Sequence, residues 1–204
     1  MNKRFTIYFS LAIVLFAFGF TKQTQPVAAI WTAAELTAAN TGANSKFLKQ
    51  IEKDALKYIN LARLYPKRFV EVELKIYFGT VENPDYLKNS TFRKSLITTL
   101  NKGKTEIALL PDSTLTKTAE CLGKEQEKSG KVGHDRKKCK ADYYSECVSY
   151  GMSNGLDVAM QLLIDHTVSS LGHRKTCLSD DYKKVGLSHN KHKTQGTAMV
   201  LDFK

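Results

Sequence analysis

The chain has 204 residues, 42% of them hydrophobic and 25% charged, with 31 Lys and Arg against 20 Asp and Glu and a formal charge of +11. That length suits one domain with a real core, or two small ones with little core each. A basic excess would suit a polyanion, but the lysines alternate with acids, as in Lys124-Glu125-Gln126-Glu127-Lys128, and no aromatic-and-basic interleaving builds a base-stacking platform; a solvated basic surface is expected and nucleic acid is not.

The first 29 residues stand apart. Lys3 and Arg4 precede an apolar run from Phe5 to Phe20, and a polar stretch, Thr21-Lys22-Gln23-Thr24-Gln25, follows. This is the charged, apolar, polar order of a secretory signal peptide, with cleavage expected after Gly19 or Ala29. A membrane anchor is the other reading, and the run is short for one. Export places the protein in a secreted or periplasmic setting, touching the membrane only through the transient signal peptide. A chain cleaved after Ala29 keeps 28 basic against 20 acidic residues, +8.

Residues 30–46 are rich in Ala, Thr, Asn and Gly and read as a linker, leaving 47–204 as the domain. Leu48, Ile51, Ala55, Tyr58, Ile59 and Ala62 recur at three- and four-residue steps and predict an amphipathic helix that ends before Pro66. Phe69 to Phe78 predicts a second short helix, Asn83-Pro84-Asp85 a turn, and Phe92, Leu96 and Leu100 a helix running out at Gly103. Asp112 or Ser113 caps a helix with Leu115, Ala119 and Leu122 inward and Gly130 at its end. Asn154 caps another, running to about His166. The period then changes. Val185 and Leu187, followed by Thr197, Met199, Leu201 and Phe203, alternate as two strands around a polar turn at His189–Lys193. Helices followed by a small antiparallel sheet give an α+β domain or a layered α/β/α one.

Four cysteines, Cys121, Cys139, Cys147 and Cys177, lie in the C-terminal half without a Cys-x-x-Cys pair. In an exported protein they read as two disulfides with three possible connectivities, of which Cys121–Cys177 with Cys139–Cys147 is preferred.

Two histidines follow glycines, in Gly133-His134 and Gly172-His173-Arg174, with Glu146 between them. Glycine frees the backbone to turn and leaves one side of an imidazole open to a cleft. Two imidazoles and a carboxylate make a divalent-metal or acid–base set, although 39 residues separate the histidines and only folding can bring them together. Two neutral His, one Glu and a water would form an open four-coordinate zinc site. The same three groups could instead hydrogen-bond to one another and hold loops together. His166, His189 and His192 read as surface residues. No serine sits in a Gly-x-Ser-x-Gly turn, and with the cysteines assigned to disulfides no nucleophile stands out.

In four stretches the chain resembles the CAP superfamily of cysteine-rich secretory, antigen 5 and pathogenesis-related 1 proteins (the SCP domain), nearest its bacterial exported branch. Ile59-Asn60-Leu61-Ala62-Arg63 before Pro66 is similar to the family's first helix, and Asp112-Ser113-Thr114-Leu115 through Gly133-His134 to its second helix and first histidine. Ser145-Glu146-Cys147-Val148 resembles the glutamate segment, and Gly172-His173-Arg174 through Asp202-Phe203 the second histidine and closing strands. The likeness covers roughly 47–204. It implies a three-layer α-β-α sandwich with a small antiparallel sheet, and a cleft in which His134, Glu146 and His173 can hold zinc or another divalent cation. The family's second acid has no clear counterpart; Asp165 is nearest, and is expected as a solvated or helix-end carboxylate. Cys147 stands where the glutamate segment usually carries Asn. Two functions follow: a secreted module binding an extracellular or envelope lipid, glycan or protein, or a metal-dependent hydrolase of peptide or cell-envelope substrates.

Overall fold

The computed structural model describes residues 30–204, so the segment at 1–29 that was expected to direct export lies outside the described residues. The chain opens with helix α1 (Ala33–Ala39), where the Thr32 hydroxyl accepts the Glu35 amide at 3.2 Å and the Glu35 carboxylate takes the Thr32 amide at 2.8 Å. These two bonds satisfy otherwise orphaned amides at the helix start. Trp31 donates its indole N–H to Glu73 at 2.6 Å, and Ala39 is wholly buried. Residues 31–46 are therefore packed onto the domain and are not the linker their composition suggests.

Helix α2 (Gln50–Leu64) buries Ala55, Leu56, Ile59 and Ala62, the stripe expected from their spacing. Two of its three buried polar residues, Asn60 and Arg63, act as staples. Asn60 donates to the carbonyls of Ala39 and Leu109 and accepts the Leu109 amide. Arg63 donates to the carbonyls of Ile107, Cys177, Ser179 and Tyr182, tying α2 to the C-terminal third. Pro66 ends α2 and begins a continuous helical path: α3 (Pro66–Phe69), a wider π-helical turn (Val70–Leu74) and α4 (Lys75–Gly79). After α5 (Asp85–Lys88), α6 (Arg93–Lys102) buries Leu96 and Leu100 and stops at Gly103.

Strand β1 (Leu110–Pro111) leads into α7 (Ser113–Ser129), capped by Asp112, which accepts the amides of Thr114 and Leu115, and closed by Gly130 at φ 69°. Strand β2 (Ser145–Tyr150), α8 (Gly155–Ile164), α9 (Gly172–Leu178), β3 (Lys184–His192) and β4 (Gly196–Phe203) complete an α+β fold. The sheet order is β1-β3-β4-β2, with β4 antiparallel to both neighbours and β1 parallel to β3, so the sheet is mixed where an antiparallel one was expected.

Helices cover both faces of the sheet. Val148, Ala198 and Val200 pack with Ala119 and Leu122 of α7, while the alternate residues Cys147, Met199 and Leu201 join the main core with α2, α8 and α9. This is the period-two segregation of a strand buried on both sides. Two glycines set the close approaches. A Cβ on Gly186 would lie 2.0 Å from the backbone of Leu115, and one on Gly155 2.5 Å from the Ala55 amide. Backbone therefore meets backbone where α7 crosses β3 and where α8 crosses α2. No described helix is long and apolar enough to cross a membrane.

The hairpin turn falls later than its polar residues suggest. His192 is buried, edge-on to Tyr150, and its Nδ1 accepts the amides of Thr194 and Gln195. That imidazole extends β3 through His192 and moves the reversal to Lys193–Gln195, with Gly196 at φ 75°. His189 is half-buried within the strand, so neither residue is the surface histidine expected.

The disulfide pairing also differs from expectation. Cys121 on α7 is bonded to Cys139 in the following loop, while Cys147 and Cys177 are buried thiols. Cys147 lies on the inner face of β2 and cannot turn out to Cys139, so the expected Cys121–Cys177 and Cys139–Cys147 pairs are not formed.

Candidate functional site

Past α7 the chain turns at Gly133, whose φ of 101° belongs to the left-handed side of backbone space that glycine enters freely. The Gly133 amide donates to the Tyr150 hydroxyl at 2.8 Å, and its carbonyl accepts Gln126 Nε2 at 2.7 Å. These bonds fix the base of His134, whose own ring is about half exposed and joins its Nδ1 to Glu146 Oε1 at 2.8 Å. Glu146 sits beneath it on β2, only 3% exposed.

Behind Glu146 stands a group that the sequence did not single out. Arg136 Nη2 contacts Glu146 Oε2 and both oxygens of Asp202 at 3.1 Å, while Nη1 donates to the Thr118 carbonyl at 2.9 Å. Asp202 is directly opposite Glu146 in the β2–β4 register and is fully buried. Burial raises both carboxyl groups, but hydrogen bonds from His134, Asp202 and Arg136 outweigh it at Glu146 and hold that group below the usual range. Asp202 is pushed up to about 8 by burial and by its hydrogen bond with Glu146. The two acids thus share a proton at neutral pH, which a single guanidinium can balance. The Glu146 hydrogen bond in turn raises His134 above the ordinary histidine value, against the opposing effect of burial.

The other histidine is built differently. Leu171 at φ 53° starts α9, which carries His173. The imidazole Nδ1 meets Asp165 Oδ1 at 2.7 Å, and the other oxygen of Asp165 accepts the Arg174 amide at 3.2 Å. Asp165 closes α8 at φ 57° and is 1% exposed. It is the helix-end carboxylate expected, but buried and bound to His173 where solvation was also expected. The Arg174 guanidinium caps the carbonyls of Leu163 and Ile164, fixing the α8–α9 corner.

His134 and His173 line one cavity of about 550 Å³, together with Asp165, Tyr86, Tyr150, Gln161 and His166, which is half-buried with its Nδ1 against the Ser90 hydroxyl at 2.9 Å and is not the surface histidine expected. Glu146 lies behind His134 and does not line it. The expected trio is therefore arranged as two imidazole–carboxylate pairs, His134–Glu146 and His173–Asp165, presented to a shared hollow. A carboxylate on Nδ1 favours the tautomer whose Nε2 carries the free lone pair, the arrangement found behind many metal-ligating histidines. Neither Nε2 has a hydrogen-bond partner among the described residues. Among those residues no three His, Cys, Asp or Glu side chains are gathered into a metal cage. Two imidazoles alone do not supply the four protein ligands of a closed structural zinc site. No serine or cysteine lines the cavity.

A larger hollow of about 630 Å³ lies between α7 and the 131–139 loop, edged by Lys124, Lys128, Lys131, Lys137 and Lys138. No imidazole faces it.

Asp202 and Arg136 were missed because a strand acid following Leu201 reads as an outward residue and a basic loop residue reads as solvated. Their signals were the position of Asp202 in the closing strand and that of Arg136 two residues beyond His134. No family model, curated protein or solved structure matches the chain.

Proposed function

We propose that this chain is an exported member of the CAP superfamily whose cleft binds an extracellular or envelope ligand and can hold a divalent cation. The observation that carries this reading is the pair of imidazoles, each oriented by a buried carboxylate, facing one cavity that no serine or cysteine enters. Helices on both faces of the sheet, and the chain order of His134, Glu146 and His173, support the α-β-α sandwich of that family. The cavity offers hydroxyls and amides from Tyr86, Tyr150, Gln161 and Gln195 beside apolar Val132, Val148 and Leu162. A lipid headgroup, a glycan or a peptide segment suits such a mixed lining.

His134 and His173 would hold zinc through Nε2, with Glu146 and Asp165 orienting them from behind. Bound zinc would polarise a ligand oxygen or lower the pKa of a water. Calorimetric titration of the mature protein with zinc should show binding at pH 7.5. Binding should weaken as pH falls, His134 being lost at a pH above the ordinary histidine value because Glu146 favours its protonated form. His134→Ala and His173→Ala should each weaken the binding, and the double substitution should abolish it. Undiminished binding by the double variant refutes the site.

The two imidazole–carboxylate pairs also suit general-base work, which keeps a metal-dependent hydrolase of peptide or cell-envelope substrates as the second reading. Turnover abolished by chelation and by Glu146→Gln would favour it.

A further inference from the structure

Cys147 on β2 and Cys177 on α9 are fully buried thiols in the same core cluster. Cys147 Sγ lies 3.9 Å from the carbonyl oxygen of His173, one helical turn before Cys177. Ser145, two residues earlier on the same face of β2, hydrogen-bonds Thr176 at 2.9 Å. Strand and helix therefore run side by side through both cysteine positions. Cys121 and Cys139 are already bonded together, so neither competes for Cys147 or Cys177.

We propose that Cys147 and Cys177 form a second disulfide in the oxidised protein, joining the strand that carries Glu146 to the helix that carries His173. The inference rests on the packing of β2 against α9 and holds whatever the cleft binds. In the reaction the two thiols lose two protons and two electrons and a bond forms between their sulfurs. The electrons and protons pass to a small-molecule or protein disulfide, which becomes two thiols. Both thiols are fully buried in the closed fold, where an oxidant cannot reach them. The bond is made while α9 is undocked, as the chain folds, and is shielded from reductant afterwards. It then acts as a clamp across the cleft, one residue from Glu146 and four from His173.

The test uses the full chain refolded in a reduced and oxidised glutathione buffer, then digested with trypsin without reduction. Peptide Ala141–Arg174 should be recovered linked to Thr176–Lys183, and thiols titrated in denaturant should fall from two per chain to none. Two thiols remaining with Cys121–Cys139 intact would overturn the proposal, as would a linkage of Cys147 or Cys177 to Cys121 or Cys139. Hydrogen exchange across 172–178 should slow at least tenfold on oxidation of the wild-type chain. Equal rates before and after would overturn the clamp. Cys177→Ala should leave one titratable thiol, and a chain with none would show that Cys147 pairs elsewhere; if that variant does not fold, the wild-type map alone decides.

Discussion

Two of the three histidines that line the cleft, His134 and His173, reach it from opposite kinds of support. His134 stands on a loop tethered by Cys121–Cys139, half exposed, above a buried cluster of two acids and a guanidinium. His173 stands on a short helix, behind a carboxylate held by backbone geometry at the end of α8, with left-handed residues at Asp165, Thr167 and Leu171. The first imidazole is tuned by charge and the second by shape. Two routes thus reach one chemical outcome, an imidazole with its Nδ1 occupied and its Nε2 free.

Removing the charge should break the first support most severely. Arg136→Met leaves Glu146 and Asp202 facing each other without a counter-ion and should cost about 3–5 kcal/mol in urea unfolding. His134 should change its NMR-detected titration in that variant, while the His173 ring resonances at a fixed pH stay where they are. Equal changes at both histidines would mean that the supports are not separate.

Loss of the tether comes next. Cys121→Ala with Cys139→Ala opens an 18-residue loop and should destabilise the protein by roughly 3 kcal/mol. Hydrogen exchange should rise in 131–140 and stay unchanged in 165–175. A uniform rise would show that the loop is part of a single cooperative unit.

Titration sharpens the contrast further. Asp202 binds its proton more tightly folded, at about 8, than it would in an unfolded chain. Its contribution is complete below the unfolded carboxyl range and is lost as pH rises toward 8, at up to about 1.4 kcal/mol per pH unit. The depressed Glu146 works in the opposite sense, but at and below the ordinary carboxylate range. Wild type should therefore lose stability between pH 5 and 8 relative to Asp202→Asn, which keeps a neutral partner for Glu146 and Arg136. Parallel profiles in urea unfolding would remove the shared proton from the account.

The smallest effect belongs to the shape-tuned side. Thr167 is exposed, β-branched and at φ 63°, where glycine is relaxed. Thr167→Gly should raise the thermal midpoint slightly, by up to about 1 kcal/mol of relieved strain. A fall would mean that the Thr167 side chain supports the corner.

Much of the scaffold was legible in the sequence, because it follows from local rules. The α2 stripe, the caps at Asp112 and Asn154 and the alternation in β3 and β4 depend on neighbours in sequence. The two glycine-preceded histidines stood out as candidates, but their meeting at one cavity depends on the fold. What escaped depends on partners distant in the chain. Thr32 and Glu35 carried a capping signature, but only the docking of Trp31 on Glu73 separates α1 from a linker of the same composition. His192 could be recognised as a strand residue only once Tyr150 was beside it. Asp202 became a site residue through its register with Glu146, which two strands 56 residues apart establish. The cysteine pairing was undetermined for the same reason, since four thiols allow three pairings until the inner face of β2 is known.

The contact at Gly155 gives the cleft a mechanical property. Helix α8 rests backbone-on-backbone against α2 at its first residue and ends ten residues later, about 15 Å away, at the carboxylate that orients His173. The helix is a lever whose fulcrum has no room for a methyl group. A single carbon added at Gly155 would be magnified along its length, so the aim of an imidazole is set by the smallest residue on the opposite end of the rod.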